Sequence, residues 1–362
     1  MNGCASDWCS RIREAQATAT PLTIVGGGSK EFYGRPSTGT PLATGAHSGI
    51  VAYEPSELSL TARAGTPLAE LEATLAQQGQ MLAFEPPHFA GGATLGGAIA
   101  AGLSGPRRAA AGAARDFVLG AKIIDGRGDV VNFGGQVMKN VAGYDVSRLL
   151  VGSLGTLGLL LEVSLKVLPL PAATSSLRFA ASEARALDLM NGYGGRPLPI
   201  TASAWEARAD GGTLTLRLAG SGAAVAAAQR ALGGEVMGTE AASTYWRELR
   251  DHSATFFAAD TPLWRLSLAS TTPRLALPGA TLIEWGGSLR WLRSTASAAT
   301  IRDAMAVGGS GAHATLFRGP ERARAEGAFQ PLPPLLLDLH RRLKQRFDPA
   351  GILNPGRMYP EF

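Results

Sequence analysis

The sequence predicts an α+β protein of two domains and a returning C-terminal segment, at residues 1–171, 172–330 and 331–362. Three observations predict it. The 362 residues exceed the size that one hydrophobic core normally serves. The 46 glycines are concentrated before position 160, and a chain places glycine where backbone must approach something closely. Beyond Pro171 the pattern changes to short strands and amphipathic helices in regular order.

In the first domain, Leu22-Thr23-Ile24-Val25 reads as a short buried strand running into Gly26-Gly27-Gly28-Ser29-Lys30. Ile50 to Tyr53 and Leu58 to Ala64 read as two more strands. Thr66 is placed to cap a helix that opens at Pro67, with Leu68, Leu71 and Leu75 on one face and Gly79 at its end. The stretch from Gly91 to Gly120 has no clean period and few large side chains, so it reads as ligand-wrapping backbone. Phe117 to Asp125 and Val130 to Phe133 form a strand pair around the turn Gly126-Arg127-Gly128-Asp129. Leu161, Val163, Leu165 and Val167 alternate with Glu162, Ser164 and Lys166 as a half-buried strand, which Pro169 and Pro171 end.

In the second domain the order is strand (Ser176 to Ala181), helix (Glu183 to Asn191), strand (Thr201 to Ala207), strand (Thr213 to Ala219), helix (Gly222 to Leu232) and strand (Glu235 to Gly238). This βαββαβ order is the split βαβ, or ferredoxin-like, unit. A looser version recurs between Leu263 and Phe317. Leu335 to Phe347 has helical spacing, and Asp348 to Met358 is a Pro/Gly-punctuated tail that must pack to be ordered.

Composition narrows the function. Charged residues are 17%, against about 25% in an average soluble protein, which points to surface covered by another subunit. The net charge of +5 suits an anionic cofactor, an acidic partner or nucleic acid, although most of these charges read as solvated surface. The basic residues are scattered apart from Arg341, Arg342, Lys344 and Arg346, without interleaved aromatics, which sets nucleic acid aside. Cys4 and Cys9 have no His or Cys cluster to complete a metal site and read as free thiols. The first twenty residues lack a signal peptide's apolar core. The longest apolar run, Leu149 to Leu161, is too short and Gly-rich to span a bilayer, so a cytoplasmic chain is expected.

Three segments carry the chemistry. The consecutive glycines of Val25-Gly26-Gly27-Gly28-Ser29-Lys30 let successive N–H groups converge on an anion such as a pyrophosphate; a tight turn is the competing reading. Neither the Walker A order nor the Rossmann G-x-G-x-x-G is present. The small residues from Gly91 to Gly120 let a flat ligand lie against main chain, or let helices pack closely. The third segment is Lys139-Asn140-Val141-Ala142-Gly143-Tyr144-Asp145, followed by Gly152-Ser153-Leu154-Gly155-Thr156-Leu157-Gly158.

In this order and spacing the three segments resemble the FAD-binding domain of the p-cresol methylhydroxylase and vanillyl-alcohol oxidase superfamily. Within it, the D-2-hydroxy-acid dehydrogenase branch carries K-N-x-x-G-Y-D followed by G-S-x-G-T-L-G. The resemblance covers roughly residues 20 to 170 and the tail, where Phe347-Asp348-Pro349 and Leu353-Asn354-Pro355-Gly356-Arg357-Met358 look like the family's closing motif. It implies a two-subdomain FAD-binding domain of the p-cresol methylhydroxylase type, with the ferredoxin-like α+β unit as a cap. It also implies that Gly26, Gly27, Gly28, Ser29 and Lys30 hold the FAD pyrophosphate, while Pro86, Thr94, Gly96, Gly97, Ala101, Gly102, Ser104, Gly105, Gly112 and Asp116 follow the cofactor's length. Val118 then meets the adenine end, Gly152, Ser153, Gly155, Thr156 and Gly158 close the site, and Asn354 returns towards the flavin ring. Some relatives attach flavin through a His in the first loop; Ser29 stands there, so FAD is expected to be non-covalent.

The departures matter. The branch's catalytic members are longer and carry a metal motif near H-x-G-D-G-N-x-H, where this chain has Gly308-Gly309-Ser310-Gly311-Ala312-His313. The acidic residue usual in G-S-E-G-T-L-G is Leu154. With Phe84-Glu85-Pro86-Pro87-His88 before its glycines, the chain is most similar to the smaller FAD-binding subunits of bacterial glycolate oxidases. That resemblance implies a larger flavin subunit and an iron–sulfur subunit as partners, a small 2-hydroxy acid as substrate, and membrane association only through partners. Without a cluster motif here, any iron–sulfur centre belongs to another chain. In an enzyme of this kind a base takes the hydroxyl proton and a cation fixes the carboxylate. His88 and His313, and Arg357 and Arg107, are the candidates, each equally readable as structural. A flavin scaffold without substrate chemistry and a stand-alone alditol or sugar oxidase are the rival readings.

Overall fold

The computed structural model describes residues 3–89, 91–135, 146–208 and 211–362; the segment Lys139 to Asp145 lies outside the described residues. The chain divides into two compact units, one of Met1–Leu103, Ala113–Leu170 and Glu321–Phe362, the other of Ser104–Gly112 and Pro171–Pro320.

The first unit opens with helix α1 (Gly3–Thr18), whose Ala5, Trp8, Cys9, Ile12 and Ala15 are buried in one core with Leu22, Leu42, Leu161 and Ile352. Strand β1 (Leu22–Val25) pairs in parallel with β2 (Thr40–Ala43). Strands β3 (Ile50–Glu54) and β4 (Ser59–Arg63) precede helix α2 (Leu68–Gln77) and the short β5 (Gln80–Met81). Leu68, Leu71 and Leu75 of α2 are fully buried, as the spacing predicts. Thr66 does not cap this helix. Its hydroxyl donates to the Arg63 carbonyl at 2.7 Å and accepts from the Gly49 N–H at 2.9 Å, so Pro67 occupies the cap position.

Helix α3 (Leu95–Ala101) lies within the glycine-rich stretch that was expected to be irregular. It has too few large side chains to show a period, yet Thr94 caps it and Gly102, at φ +63°, ends it. Strands β6 (Val118–Ile124), β7 (Val130–Gly134) and β8 (Leu159–Lys166) complete an antiparallel sheet of order β3-β4-β8-β6-β7, and β9 (Leu168–Pro169) pairs with β5.

The second unit includes the short helix α4 (Arg108–Ala111). Ser104–Gly112 belongs here because α4 packs on the strand Ile200–Glu206, the Trp285 indole N–H donates to the Gly105 carbonyl at 3.1 Å and the Arg108 guanidinium lies 4.5 Å from the Trp285 ring centre. The first half runs β10 (Ala173–Ala180), α5 (Glu183–Gly194), β11 (Ile200–Glu206), β12 (Thr213–Gly220), α6 (Gly222–Leu232) and β13 (Glu235–Val236). Helix α7 (Thr239–Asp251) then leads to β14 (Leu263–Ser267), β15 (Ala280–Glu284), β16 (Leu289–Arg293), α8 (Ala298–Asp303) and β17 (His313–Arg318).

All eight strands join one antiparallel sheet of order β13-β10-β12-β11-β15-β16-β14-β17. The first four stand as 4-1-3-2, the ferredoxin-like order, and the last four as its reverse, so two halves meet through β11 and β15. The looser repeat expected between Leu263 and Phe317 is this second half. It lacks a helix between its first two strands.

Helices α9 (Glu321–Gly327) and α10 (Pro334–Phe347) belong again to the first unit, which the chain re-enters at Glu321, earlier than the expected position 331.

Candidate cofactor-binding cleft

A cleft of about 650 Å³ opens in the first unit beside the end of β1. Its floor is the chain from Thr23 to Phe32; Thr94, Gly97, Ala100 and Ala101 of the α3 region, Leu154, Asn354, Glu321, Arg324 and Arg357 form its walls.

The floor requires glycine for two separate reasons. A Cβ on Gly27 would lie 1.5 Å from the Gly92 carbonyl oxygen, so the two loops touch through backbone alone. Gly28 has φ +71°, a left-handed conformation that side chains disfavour. Among the described residues, the N–H groups of Gly27, Gly28 and Ser29 have no hydrogen-bond acceptor, whereas the Glu31 N–H returns to the Gly28 carbonyl at 3.2 Å. Successive free N–H groups on a turn form an anion-binding concavity. The Lys30 ammonium adds charge, 3.1 Å from the Ser29 hydroxyl and 5.5 Å from the Phe89 ring centre.

The back wall is held by Asn354. Its Oδ1 accepts from the Ile24 N–H at 2.7 Å and its Nδ2 donates to the Leu154 carbonyl at 2.6 Å, tying β1 to the Gly152–Thr156 loop. The Asn354 N–H also donates to the Leu22 carbonyl at 2.9 Å. Gly155 is glycine for this reason: a Cβ there would lie 2.6 Å from Asn354 Nδ2.

The far end is basic. Arg324 Nη1 donates to the Gly34 carbonyl at 3.1 Å, and Arg357 donates to the Glu31 and Arg35 carbonyls. Burial, and then the neighbouring Arg324 charge, pull Arg357 below the ordinary arginine pKa, while Glu31 opposes them. Thr23 Oγ1 and Arg324 Nε, on two cleft-lining residues, are buried without a hydrogen-bond partner among the described residues. Unmet buried polar atoms, a main-chain anion cradle and flanking cations together suit an extended anionic cofactor.

Residues 4–134 match the family described as FAD binding domain, and residues 329–358 the C-terminal domain of FAD linked oxidases. Over 352 residues, 97% of this chain and 96% of the relative, the sequence is 49% identical to glycolate oxidase subunit GlcE of Escherichia coli (strain K12). The chain belongs to the GlcE family. A shorter match, 36% over 125 residues, links this GlcE-family chain to glycolate oxidase subunit GlcD of Bacillus subtilis (strain 168), across 34% of this chain and 27% of that one. The solved structure of p-cresol methylhydroxylase with substrate bound superposes with a TM-score of 0.71 at 13% identity, covering 98% of this chain and 87% of that one. The α+β fold of the p-cresol methylhydroxylase type is therefore the fold of this GlcE-family chain.

Of the residues expected at the cofactor, Gly26, Gly27, Gly28, Ser29, Lys30, Thr94, Gly97, Ala101 and Asn354 line the cleft. Others stand behind it as packing residues. Gly96 is turned to the residue after β4, where a Cβ would lie 2.7 Å from that of Ala64, and Gly102 backs onto Gly152, where the distance to Cα would be 2.9 Å. Gly158 faces Ile123; the hydroxyls of Ser153 and Thr156 are used within their own turn, donating to Leu150 and Ser153 carbonyls at 2.9 and 2.7 Å. Pro86 and Val118 are buried, and Asp116 Oδ2 accepts from the Ala113 N–H at 2.8 Å. Ser104, Gly105 and Gly112 belong to the second unit.

The four catalytic candidates are not assembled in the cleft. Arg357 lines it. His88 does not: its Nε2 lies 3.2 Å from Glu72 Oε1 on α2. Arg107 and His313 lie in the second unit, where burial lowers the His313 pKa below the ordinary value. Sequence reasoning missed Glu31, Leu154, Glu321 and Arg324 as cleft residues. Glu31 continues directly from the glycine loop, but Arg324 enters from α9, and nothing local announces it. Among the described residues no three His, Cys, Asp or Glu side chains are grouped to hold a metal ion.

Proposed function

We propose that this chain is the FAD-holding subunit of a complex that oxidises glycolate to glyoxylate. The observation that carries the reading is the run of N–H groups without acceptors among the described residues at Gly27, Gly28 and Ser29, on residues that line a cleft Asn354 closes, in a chain nearly half identical to GlcE. Bound flavin supplies a two-electron acceptor for the hydride on the α-carbon of a 2-hydroxy acid. Gly27, Gly28 and Ser29 bind the pyrophosphate through main chain, and Lys30 offsets its charge. Thr94, Gly97 and Ala101 leave room for the cofactor's length; Asn354 fixes the wall it rests on. Ser29 offers no imidazole for attachment, which supports non-covalent binding. The partners in this reading are a larger flavin subunit, related to GlcD, and an iron–sulfur subunit. No helix among the described residues is long and apolar enough to cross a membrane. The reading places the complex in the cytoplasm, reaching the membrane face only through its partners.

One observation favours a second reading, in which this chain holds flavin while the larger subunit does the substrate chemistry. Among the described cleft-lining residues there is no histidine to serve as base. The anaerobic visible spectrum of the purified chain, before and after glycolate, separates the two. Flavin bands that bleach place oxidation on this chain; bands that persist until the partners are added make it a holder or relay. No flavin bands after FAD is supplied would sink both. Acid precipitation is expected to leave the pellet colourless.

A further inference from the structure

Helix α10 is held at one end and bare at the other. Lys344 and Asp348 are buried at its C-terminal end, where Lys344 reaches the carbonyls of Thr156 and Leu353 at 2.8 and 2.7 Å. At the other end Leu335, Leu336 and Leu339 are 80%, 44% and 59% exposed. Pro333 caps the helix and Pro334 opens it, so these leucines stand on a preset turn rather than a frayed end. Arg341, Arg342 and Arg346 follow on the same helix and are exposed.

We infer that this turn of α10 is the docking knob for a different subunit of the oxidase, one that offers an apolar groove rimmed by carboxylates. The inference rests on the subunit reading proposed above. Exposed leucines at i, i+1 and i+4 are the anchors by which a helix enters a groove. Arg342 and Arg346, seven and eleven residues after Leu335 and so on its side of the helix, select an acidic rim; Arg342 is steadied there by Asp338 at 2.7 Å. A second copy of this chain fits badly. In a two-fold contact the patch meets itself and offers these arginines no open carboxylate, because the one acidic side chain of α10, Asp338, is already paired with Arg342 at 2.7 Å. A lipid surface also fits badly, because the apolar face runs only from Leu335 to Leu339, about 6 Å of helix axis at 1.5 Å per residue, before the helix turns inward at Lys344.

The test uses the oxidase purified through an affinity tag on this chain, with co-purifying subunits identified by mass spectrometry and by flavin and iron content. The double variant Leu335→Asp/Leu339→Asp is expected to lose at least tenfold of the other subunits. Its own melting temperature and flavin content should stay unchanged, since both side chains are solvent-exposed. Arg346→Glu should weaken the same association and remove most of its sensitivity to salt. Full retention of the partner subunits by both variants overturns the docking site while leaving the subunit reading intact. Wild-type chain that retains no other subunit overturns both. Self-association in sedimentation, or binding to vesicles containing phosphatidylserine, that the leucine variant abolishes would overturn the proposal in favour of a second copy or a lipid surface.

Discussion

The ammonium of Lys344 lies 2.7 Å from Asp348 Oδ2, and both groups are buried. Asp348 also accepts from the Ile352 and Leu353 N–H groups, at 3.2 and 2.7 Å, so the pair folds the tail that carries Asn354. Burial pulls the Lys344 pKa down and Asp348 pulls it up, with burial the larger effect. Removing one partner of such a pair strands the other charge. Lys344→Met should therefore cost about 3–5 kcal/mol of stability. It should also lower FAD affinity by releasing Asn354. Thermal unfolding and flavin titration check this; unchanged flavin affinity would confine Lys344 to a stabilising role.

The close approach of Gly27 to Gly92 gives a second expectation. A methyl at Gly27 would meet a backbone carbonyl that cannot rotate away, whereas a methyl at Gly91 would meet nothing within 4 Å. Gly27→Ala should yield protein that no longer retains FAD through gel filtration, and Gly91→Ala should keep it. Equal retention by the two variants would show that the loops do not need to touch.

What could be read from the sequence was what local periodicity encodes. The three leucines of α2, the βαββαβ order and the glycine run at the end of β1 each announce themselves within a dozen residues. Helix α1 was missed although Ala5, Trp8, Ile12 and Ala15 show helical spacing. Helix α3 was hidden because alanine and glycine carry no period. The placement of Ser104–Gly112 depends on packing against β11 and on the Trp285 indole, 180 residues from Gly105, and no neighbouring residue signals it. Likewise Arg324 and Asn354 reach the cleft by tertiary packing. The glycine floor was therefore legible from the residues, and Asn354 and Arg357 through the tail's resemblance to the family's closing motif, while Arg324 was not.

Asn354 adopts φ +44°, where asparagine and glycine are tolerated better than alanine, and uses both ends of its amide. Asn354→Asp keeps an acceptor for the Ile24 N–H but turns a second oxygen towards the Leu154 carbonyl. Asn354→Ala loses both bonds. Each variant should lose about 1–3 kcal/mol of stability through unmet buried groups. The pH dependence distinguishes them, because the aspartate variant should recover on acidification as its carboxyl gains a proton to donate, and the alanine variant should not.

His252 ends α7 at φ +52°, its ring stacked on Phe257 with centroids 3.9 Å apart and edge-on to Trp291 at 4.5 Å. Burial first, and then the charges of Arg318 and Arg265, hold its pKa well below the ordinary 6.5. Burial lowers His47 and His313 in the same direction. Below about pH 6.5 the unfolded chain takes up protons that the folded chain refuses, so stability is present above that pH and lost as pH falls. Each such imidazole adds up to about 1.4 kcal/mol per pH unit to the slope, until its folded pKa is reached. His252→Asn keeps the left-handed backbone accessible and removes the titrating ring. Unfolding measured from pH 8 to pH 5 should show the variant less stable at pH 8, through lost stacking, but with a shallower acid slope. Parallel slopes for the two proteins would mean that His252 is not among the groups that make the fold acid-sensitive.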